Sequence, residues 1–319
     1  MIIEKPGLLS TIQDLGRHGY KRYGIITSGA MDQIAHRLAN MLVLNPEDCE
    51  TIEITMTGPV IRFQEDAVIS ITGAHLSPAI NGHTVKMHRP LFVREGDVLS
   101  FGRAVYGIRS YLAVHGGFSI EQVMDSGSTY LKAGIGGYKG RALKKGDRLS
   151  LKKKISAQKW NKRFKWSTEA FYRAQCGSGE TVRVIPGLQY DAFTEESHRL
   201  FVEKEFLVTP ESDRMGYRLE GERLSLKEQT ELISEGVSFG TIQVPADGQP
   251  IILMADSQTL GGYAKIAQVA SVDYSMIAQA KPGDRLNFKM ISLKEAQRLL
   301  LEQEQKLRIL KRGIRLKLS

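Results

Sequence analysis

Ile251-Ile252-Leu253-Met254-Ala255 runs directly into Asp256-Ser257-Gln258-Thr259-Leu260-Gly261-Gly262-Tyr263-Ala264-Lys265, and this stretch decides the fold. The first five residues form an apolar run too short for a helix, which predicts a buried strand held by ladder hydrogen bonds. The next ten bring an acid, an amide, two hydroxyls, a glycine pair and a lysine to the end of that strand. Polar groups there are expected to be held rigidly while the chain turns towards solvent. Gly261-Gly262 permits a positive φ or a close approach to a ligand, and Lys265 then reaches an anion or a carbonyl. A plain strand-turn-strand with a surface lysine has the same pattern, so other segments decide between the two.

Strand spacing recurs along the chain. Val60-Ile61-Arg62-Phe63, Ala67-Val68-Ile69-Ser70-Ile71, Leu91-Phe92-Val93, Arg109 to Val114 and Thr181 to Ile185 are short apolar stretches between turn signals. Glu95-Gly96-Asp97-Val98-Leu99, Lys145-Gly146-Asp147-Arg148-Leu149 and Pro282-Gly283-Asp284-Arg285-Leu286 share a pattern, a Gly-Asp turn launching a strand. Together they predict a mainly β protein of barrel-like modules. Helices are few: one follows Ser28-Gly29-Ala30-Met31-Asp32, with Ile34, Ala35, Leu38, Ala39, Leu42 and Val43 on one face, and Pro46 ends it. A second, from about Leu293 to Leu310, carries Ala296, Leu299, Leu300, Gln303 and Leu307 and packs across a barrel end or a partner. The expected organisation is residues 1–150 as an N-terminal β-rich half, 151–166 as a basic linker, 167–290 as a C-terminal barrel half, and 291–319 as a helix with a basic tail.

The 319 residues suit two domains or one large β body. Hydrophobic residues are 42%, charged ones 25%, with 31 glycines, the composition of a turn-rich globular protein. No apolar run approaches the ~20 residues of a membrane helix, and Met1 to Pro6 lacks a signal-peptide core, so a cytoplasmic location away from membranes is expected. Net charge is +9, but residues 151–166 hold six Lys and one Arg without an acid, and residues 305–319 hold three of each, also without an acid. Neither patch has the aromatic interleaving of a nucleic-acid reader; they suit an acidic partner surface, or a solvated linker and tail. Cys49 and Cys176 stand in no metal-ligand spacing, and no metal site is expected.

Several polar clusters are candidate site elements. The helix start at Ser28 to Asp32 offers outward amides for an anion or carboxylate, or simple N-capping. Asp14 and Arg17 either pair to order their loop or touch a ligand. In Ser212-Asp213-Arg214-Met215-Gly216-Tyr217-Arg218, Arg214 suits bidentate carboxylate recognition or a structural clamp. Gln243, Gln249 and Gln258 concentrate carboxamides in the C-terminal half, and each presents both a donor and an acceptor to an amide-bearing substrate. Gly134-Ile135-Gly136-Gly137, flanked by Tyr130, Lys132 and Arg141, is a glycine-rich loop able to cover a pocket, but it lacks the Gly-Lys-Ser/Thr ending of a phosphate loop.

Taken in order, Thr11 to Arg17, Ser28 to Asp32 with Asn40 and Asn45, Ile52 to Thr55 with Gly58-Pro59, Ser126 to Tyr130, Ser212 to Glu220, Ser234 to Pro250 and Asp256 to Lys265 resemble the allophanate hydrolase subunit 2 family. This biotin-dependent carboxyltransferase-like family includes the C subunit of 5-oxoprolinase and KipA, and the resemblance spans nearly the whole chain. Family members resemble Asp-His-Gln-Thr-Thr-Gly-Gly-Tyr-Pro-Lys where this chain has Ser257, Leu260 and Ala264, and Ser-Arg-Ser-Thr where it has Gly127.

The resemblance implies cyclophilin-like β-barrel modules with few helices and a C-terminal helix. It implies a component of a 5-oxoprolinase that, with the B subunit (KipI-like) and the A subunit of that enzyme, opens 5-oxo-L-proline to L-glutamate with ATP bound on this chain or on a partner. On this reading Lys265, Asp256 and Gln258 are catalytic, and Ser28, Asp32, Asn40, Arg214, Gln243, Gln249, Thr259, Gly261 and Gly262 bind substrate, gathered from both halves. Arg214 or the helix start at Ser28 holds the carboxylate, while Gln243, Gln258 and Lys265 lie near the ring carbonyl. No catalytic base is evident. Two alternatives share the resemblance: carboxylation of urea or another amide, with biotin on a separate carrier because this chain has no Ala-Met-Lys-Met-type segment, and a KipA-like antagonist of a KipI-like histidine kinase inhibitor.

Overall fold

The computed structural model describes residues 1–153, 166–176, 181–228 and 232–318. Most of the expected basic linker, residues 154–165 with Trp160, lies outside these. The chain divides into two compact units, Met1–His18 with Ser28–Ala174 and Ile309–Ser319, and Gly19–Thr27 with Gln175–Arg308. The dividing point thus falls beyond the basic segment. The loop Gly19–Thr27, early in sequence, groups with the second unit, where Lys21 Nζ donates to the Val237 carbonyl at 3.2 Å.

The first unit contains two antiparallel sheets of five strands each among the described residues. One orders β1 (Ile2–Lys5), β4 (Val60–Arg62), β9 (Val98–Ser100), β6 (Ala79–Ile80) and β7 (His83–Thr84). The other orders β2 (Leu9–Gln13), β3 (Thr51–Thr55), β10 (Tyr106–Val114), β5 (Ala67–His75) and β8 (Pro90–Val93). Ile3, Ile61 and Leu99 of the first meet Ile12, Ile52, Ile69, Ile71 and Leu112 of the second in one buried cluster, each side chain contributing about 1.5–3 kcal/mol by leaving water. Period-two alternation places Ser70 and Thr72 on the opposite face of β5, under α1 (Gln33–Leu42). There Ser70 Oγ donates to the Ala39 carbonyl and Thr72 Oγ1 to the Ala35 carbonyl, both at 2.6 Å. A strand covered on both faces has no room for an exposed residue, which is why nearly all of β5 is buried. α2 (Glu169–Cys176) begins in this unit and contributes the buried Tyr172.

In the second unit, β11 (Thr181–Pro186), β18 (Ala264–Val269), β15 (Thr241–Val244), β16 (Ile251–Leu253), β13 (Gly216–Glu220), β12 (Phe206–Val208) and β19 (Arg285–Met290) form a closed barrel in that order. The parallel pairing of β19 with β11 closes it. Ile242, Ile252 and Tyr217 stand opposite one another across three adjacent strands and are buried. α3 (Glu195–Glu203) covers one side, with Phe201 stacked on Phe288 at 4.6 Å. β14 (Glu235–Gly236) and β17 (Leu260–Gly261) make a small separate sheet, and α4 (Tyr274–Gln279) follows β18. The architecture is therefore mainly β, with a barrel and a C-terminal helix. That helix, α5, runs Leu293–Leu318, past the expected end near 310, because Leu307, Ile314 and Leu318 continue its buried stripe. Its Ala296 and Leu299 pack on Ile185, Ala270, Val272 and Ile291 at the barrel end.

The three Gly-Asp turns have one geometry. Gly96, Gly146 and Gly283 take φ of 88°, 88° and 92°, values that disfavour a side chain. In each, the following aspartate accepts from the amide three residues back: Arg94 to Asp97 at 2.8 Å, Lys144 to Asp147 at 2.7 Å and Lys281 to Asp284 at 2.9 Å.

Candidate functional site

Alternation along β16 sends Ile252 into the barrel and Ile251 out of it. Ile251 pairs with Gln243 on one side and with Arg218 on the other, so these three residues form a row across β15, β16 and β13 on the outer face. A cavity of about 360 Å³ lies over this row, lined by Gln243, Ile251, Arg218, Leu253, Gln258 and Tyr263 among others. Gly216 keeps its floor open, since a Cβ there would stand 3.0 Å from Ile251 Cγ2. Gln243 is only 3% exposed, and its Oε1 has no hydrogen-bond partner among the described residues. Gly261 leaves space beside that oxygen: a Cβ at 261 would lie 3.0 Å from it and 3.9 Å from Gln258 Nε2. Neither Gly261 nor Gly262 has a positive φ, and Gly261 lies close to the Gln243 side chain.

Two charge pairs hold the walls, one buried on both sides and one with only its lysine buried. Arg214 donates to Asp256 through Nε at 2.9 Å and Nη2 at 3.0 Å, both side chains being buried. The Asp256 amide donates to the Arg214 carbonyl at 2.8 Å and the Met254 amide to that of Met215 at 3.0 Å. The clamp thus fixes the 213–216 turn against 254–257, and residues 254–257 are buried rather than turned to solvent. Lys265 is opposite Gln243 across a bulge. Its buried Nζ donates to Glu235 Oε2 at 2.9 Å and approaches the Tyr263 and Gly261 carbonyls at 3.4 and 3.5 Å. The Glu235 carboxyl is held below its usual range by the hydrogen bond from Lys265 and then by that from Gln189. Lys265, Arg214 and Asp256 therefore shape the cavity from behind its lining.

Other expected residues are not among those lining this cavity. Gln249 pairs with Gly221, accepting from its amide at 2.9 Å and donating to its carbonyl at 3.1 Å, as a strand neighbour does. The Thr259 carbonyl accepts from the Val237 amide at 3.1 Å. Ser28, Asp32 and Asn40 belong to the first unit. Ser28 Oγ donates to the Thr129 carbonyl at 3.3 Å, and Asn40 Nδ2 to that of Cys49 at 2.6 Å. At the helix start, Asp32 Oδ1 accepts from the Ala35 amide at 2.9 Å, and Glu53 Oε2 accepts from the Met31 amide at 2.9 Å and from Tyr111 Oη at 2.7 Å. Tyr172 Oη donates to Asp32 Oδ2 at 2.6 Å. The anion at this helix start is the protein's own Glu53 and Asp32, which corrects the expectation of a ligand carboxylate there. The Asp14 carboxylate accepts from Gly16, Gly127, Ser126 and Ser128, and Arg17 donates to the Val123 and Ser128 carbonyls, so both order their loop. The glycine-rich turn is packed, not a lid or phosphate cradle: a side chain at Gly136 or Gly137 would collide with Ser128 or Thr129.

Residue reading misses Arg218, Glu235 and Gln189. Arg218 and Glu235 stand inside quoted segments, but only register pairs Arg218 with Ile251, and only the fold brings Gln189 to Glu235. Among the described residues no group of three or more His, Cys, Asp or Glu side chains is placed to hold a metal ion, and no helix is long and apolar enough to cross a membrane.

The chain thus holds a closed barrel with a carboxamide-lined cavity on its outer face and, separately, a two-sheet unit. Residues 23–290 match the model of the carboxyltransferase domain, subdomain A and B, and the chain belongs to that family. It is similar to the C subunit of 5-oxoprolinase from Haemophilus influenzae, 38% identical over 92% of each chain. It is also similar to the Escherichia coli protein of that name, 39% identical over 95% of this chain and 94% of the other. The urea amidolyase of Lachancea kluyveri is 31% identical over 98% of this chain, which spans only 18% of that protein. Among solved structures, K. lactis urea amidolyase superimposes with a TM-score of 0.86 at 30% identity, over 95% of this chain and 19% of the other.

Proposed function

We propose that this chain is the C-type subunit of a cytoplasmic, ATP-dependent 5-oxoprolinase and opens 5-oxo-L-proline to L-glutamate together with an A-type partner and a KipI-like B-type partner. The observation carrying this reading is the 38–39% identity to two proteins named as the C subunit of 5-oxoprolinase, across 92–94% of their lengths. A five-membered lactam resists hydrolysis. ATP, on this chain or on a partner, supplies the chemistry that turns its carbonyl oxygen into a phosphorylated leaving group. This chain's part is to bind and orient the ring. Gln243 and Gln258 offer the acceptor and donor that a secondary amide requires. The Arg214–Asp256 and Lys265–Glu235 pairs hold those carboxamides in register, and fixed dipoles of this kind favour a developing charge because they need not reorganise.

The test is reconstitution of the three-component enzyme with ATP and 5-oxoproline. Glutamate and ADP in equal amounts are expected; no glutamate from a folded, assembled complex refutes the reading. Similarity to urea amidolyase favours a second reading, carboxyl transfer to an amide from biotin on a separate carrier. That reading requires activity to disappear when avidin is added.

A further inference from the structure

Gln243 holds an acceptor with no donor among the described residues. A buried carboxamide oxygen left unpaired costs about 1–3 kcal/mol, and such groups in folded proteins call for an explanation. Here the side chain is 3% exposed and lines the outer-face cavity, and its buried oxygen faces Gly261, where a Cβ would stand 3.0 Å from it. One register step away across Ile251 stands Arg218, which also lines the cavity and makes no salt bridge among the described residues. Two strand spacings of ~4.8 Å separate their backbones by about 10 Å, a span that a small ring and two side chains fill. Of the acids on the rim, Asp213 accepts from the Met215 and Gly216 amides at 2.7 and 3.2 Å, and Asp247 from the Gln249 amide at 3.0 Å. Both are occupied in their own turns. Glu211 shares the rim with Arg218.

We infer that Gln243 selects a ligand N–H and that Arg218 holds a carboxylate on the adjoining carbon, so the cavity takes a small lactam acid; the choice of ring rests on the 5-oxoprolinase reading. In 5-oxoproline the ring N–H and the carboxylate-bearing carbon are bonded neighbours, which matches one acceptor and one cation on a single row. Apolar Ile251 and Leu253 line the cavity beneath the ring methylenes. Urea offers N–H groups but no anion, and the lactone of the same skeleton offers the anion but no N–H. A site with a buried acceptor discriminates strongly against a ligand that leaves it unpaired.

The experiment is titration calorimetry of the full chain with three ligands: 5-oxo-L-proline, its lactone counterpart 5-oxotetrahydrofuran-2-carboxylate, and 5-oxoprolinamide. The wild-type chain is expected to prefer the lactam acid to the lactone by about tenfold or more, and to prefer the acid to its amide. Gln243→Met is expected to remove the first preference while keeping the second, and Arg218→Gln the reverse, with urea unfolding establishing that both variants fold. Equal affinity for lactam and lactone in the wild type overturns the inference. So does a Gln243→Met variant that weakens both ligands alike, or a chain that binds none of the three. If the reconstituted complex makes glutamate while these preferences are absent, the inference fails and the proposed function stands. If open-chain amides bind in place of 5-oxoproline, the lactam-acid assignment falls together with the 5-oxoprolinase reading.

Discussion

Removing the Asp256 carboxylate should destabilise the second unit far more than its size suggests. Arg214 and Asp256 share two hydrogen bonds at 2.9 and 3.0 Å, and their side chains are 6% and 7% exposed. Breaking a buried pair by deleting one partner leaves a charge in a poorly solvated place and costs about 3–5 kcal/mol. With a urea m-value of about 2 kcal/mol/M, Asp256→Ala should lower the unfolding midpoint by about 1.5–2.5 M. Arg199–Glu196 is an internal control, since its side chains are 53% and 60% exposed, and Glu196→Ala should leave the midpoint nearly unchanged. The double variant Arg214→Met/Asp256→Leu should recover much of the loss, because replacing both charges by apolar groups removes the desolvation penalty. The assay is urea unfolding followed by fluorescence and circular dichroism at constant m. An Asp256→Ala shift no larger than that of Glu196→Ala would falsify the claim that this clamp holds the cavity wall.

Gly261→Ala should reduce turnover of the reconstituted enzyme by tenfold or more with little change in the urea midpoint, because the new Cβ presses on Gln243 Oε1 from 3.0 Å; unchanged kcat/KM contradicts this. Burial depresses the pKa of His36 and of His88 to about 4. Between about 6.5 and 4 the unfolded chain therefore binds protons that the folded one does not, and stability should fall with pH across that window by on the order of 3 kcal/mol per histidine. His36→Gln should flatten that slope, which urea midpoints at neutral and acidic pH would reveal. Burial, and then Glu50, push the Cys49 thiol up to about 11, so in a Cys176→Ser background alkylation at about pH 7.5 should be slow until the protein is unfolded; rapid native labelling contradicts this. Gly146→Ala should cost about 1–2 kcal/mol, since φ there is 88°.

Local chemistry carries much of the fold into the sequence. The Gly-Asp turns are legible because glycine and aspartate each do something no other residue does as well, and α1 is legible from its spacing and its cap. Long-range events are not. Glu53 lies 22 residues beyond Met31, so nothing in the helix start itself reveals that its anion is already supplied. The run past β16 looks solvent-facing from its polarity, yet the Arg214 clamp buries it. Lys265 reads as a reaching cation, whereas its partner Glu235 comes from another segment. The row of Gln243, Ile251 and Arg218 depends on register, which sequence constrains only through alternation. Charges near the C-terminus suggest a tail, while Ile314 and Leu318 keep the apolar stripe of the helix going.

Methyl NMR of the Ile251 side chain, on the floor of the cavity, tests most directly where the ligand sits. Addition of 5-oxo-L-proline to the full chain should shift the Ile251 δ1 signal saturably and leave Ile61, in the core of the first unit, unmoved. An Ile251 signal that stays in place while the ligand demonstrably binds would contradict the assignment of this barrel face as the site.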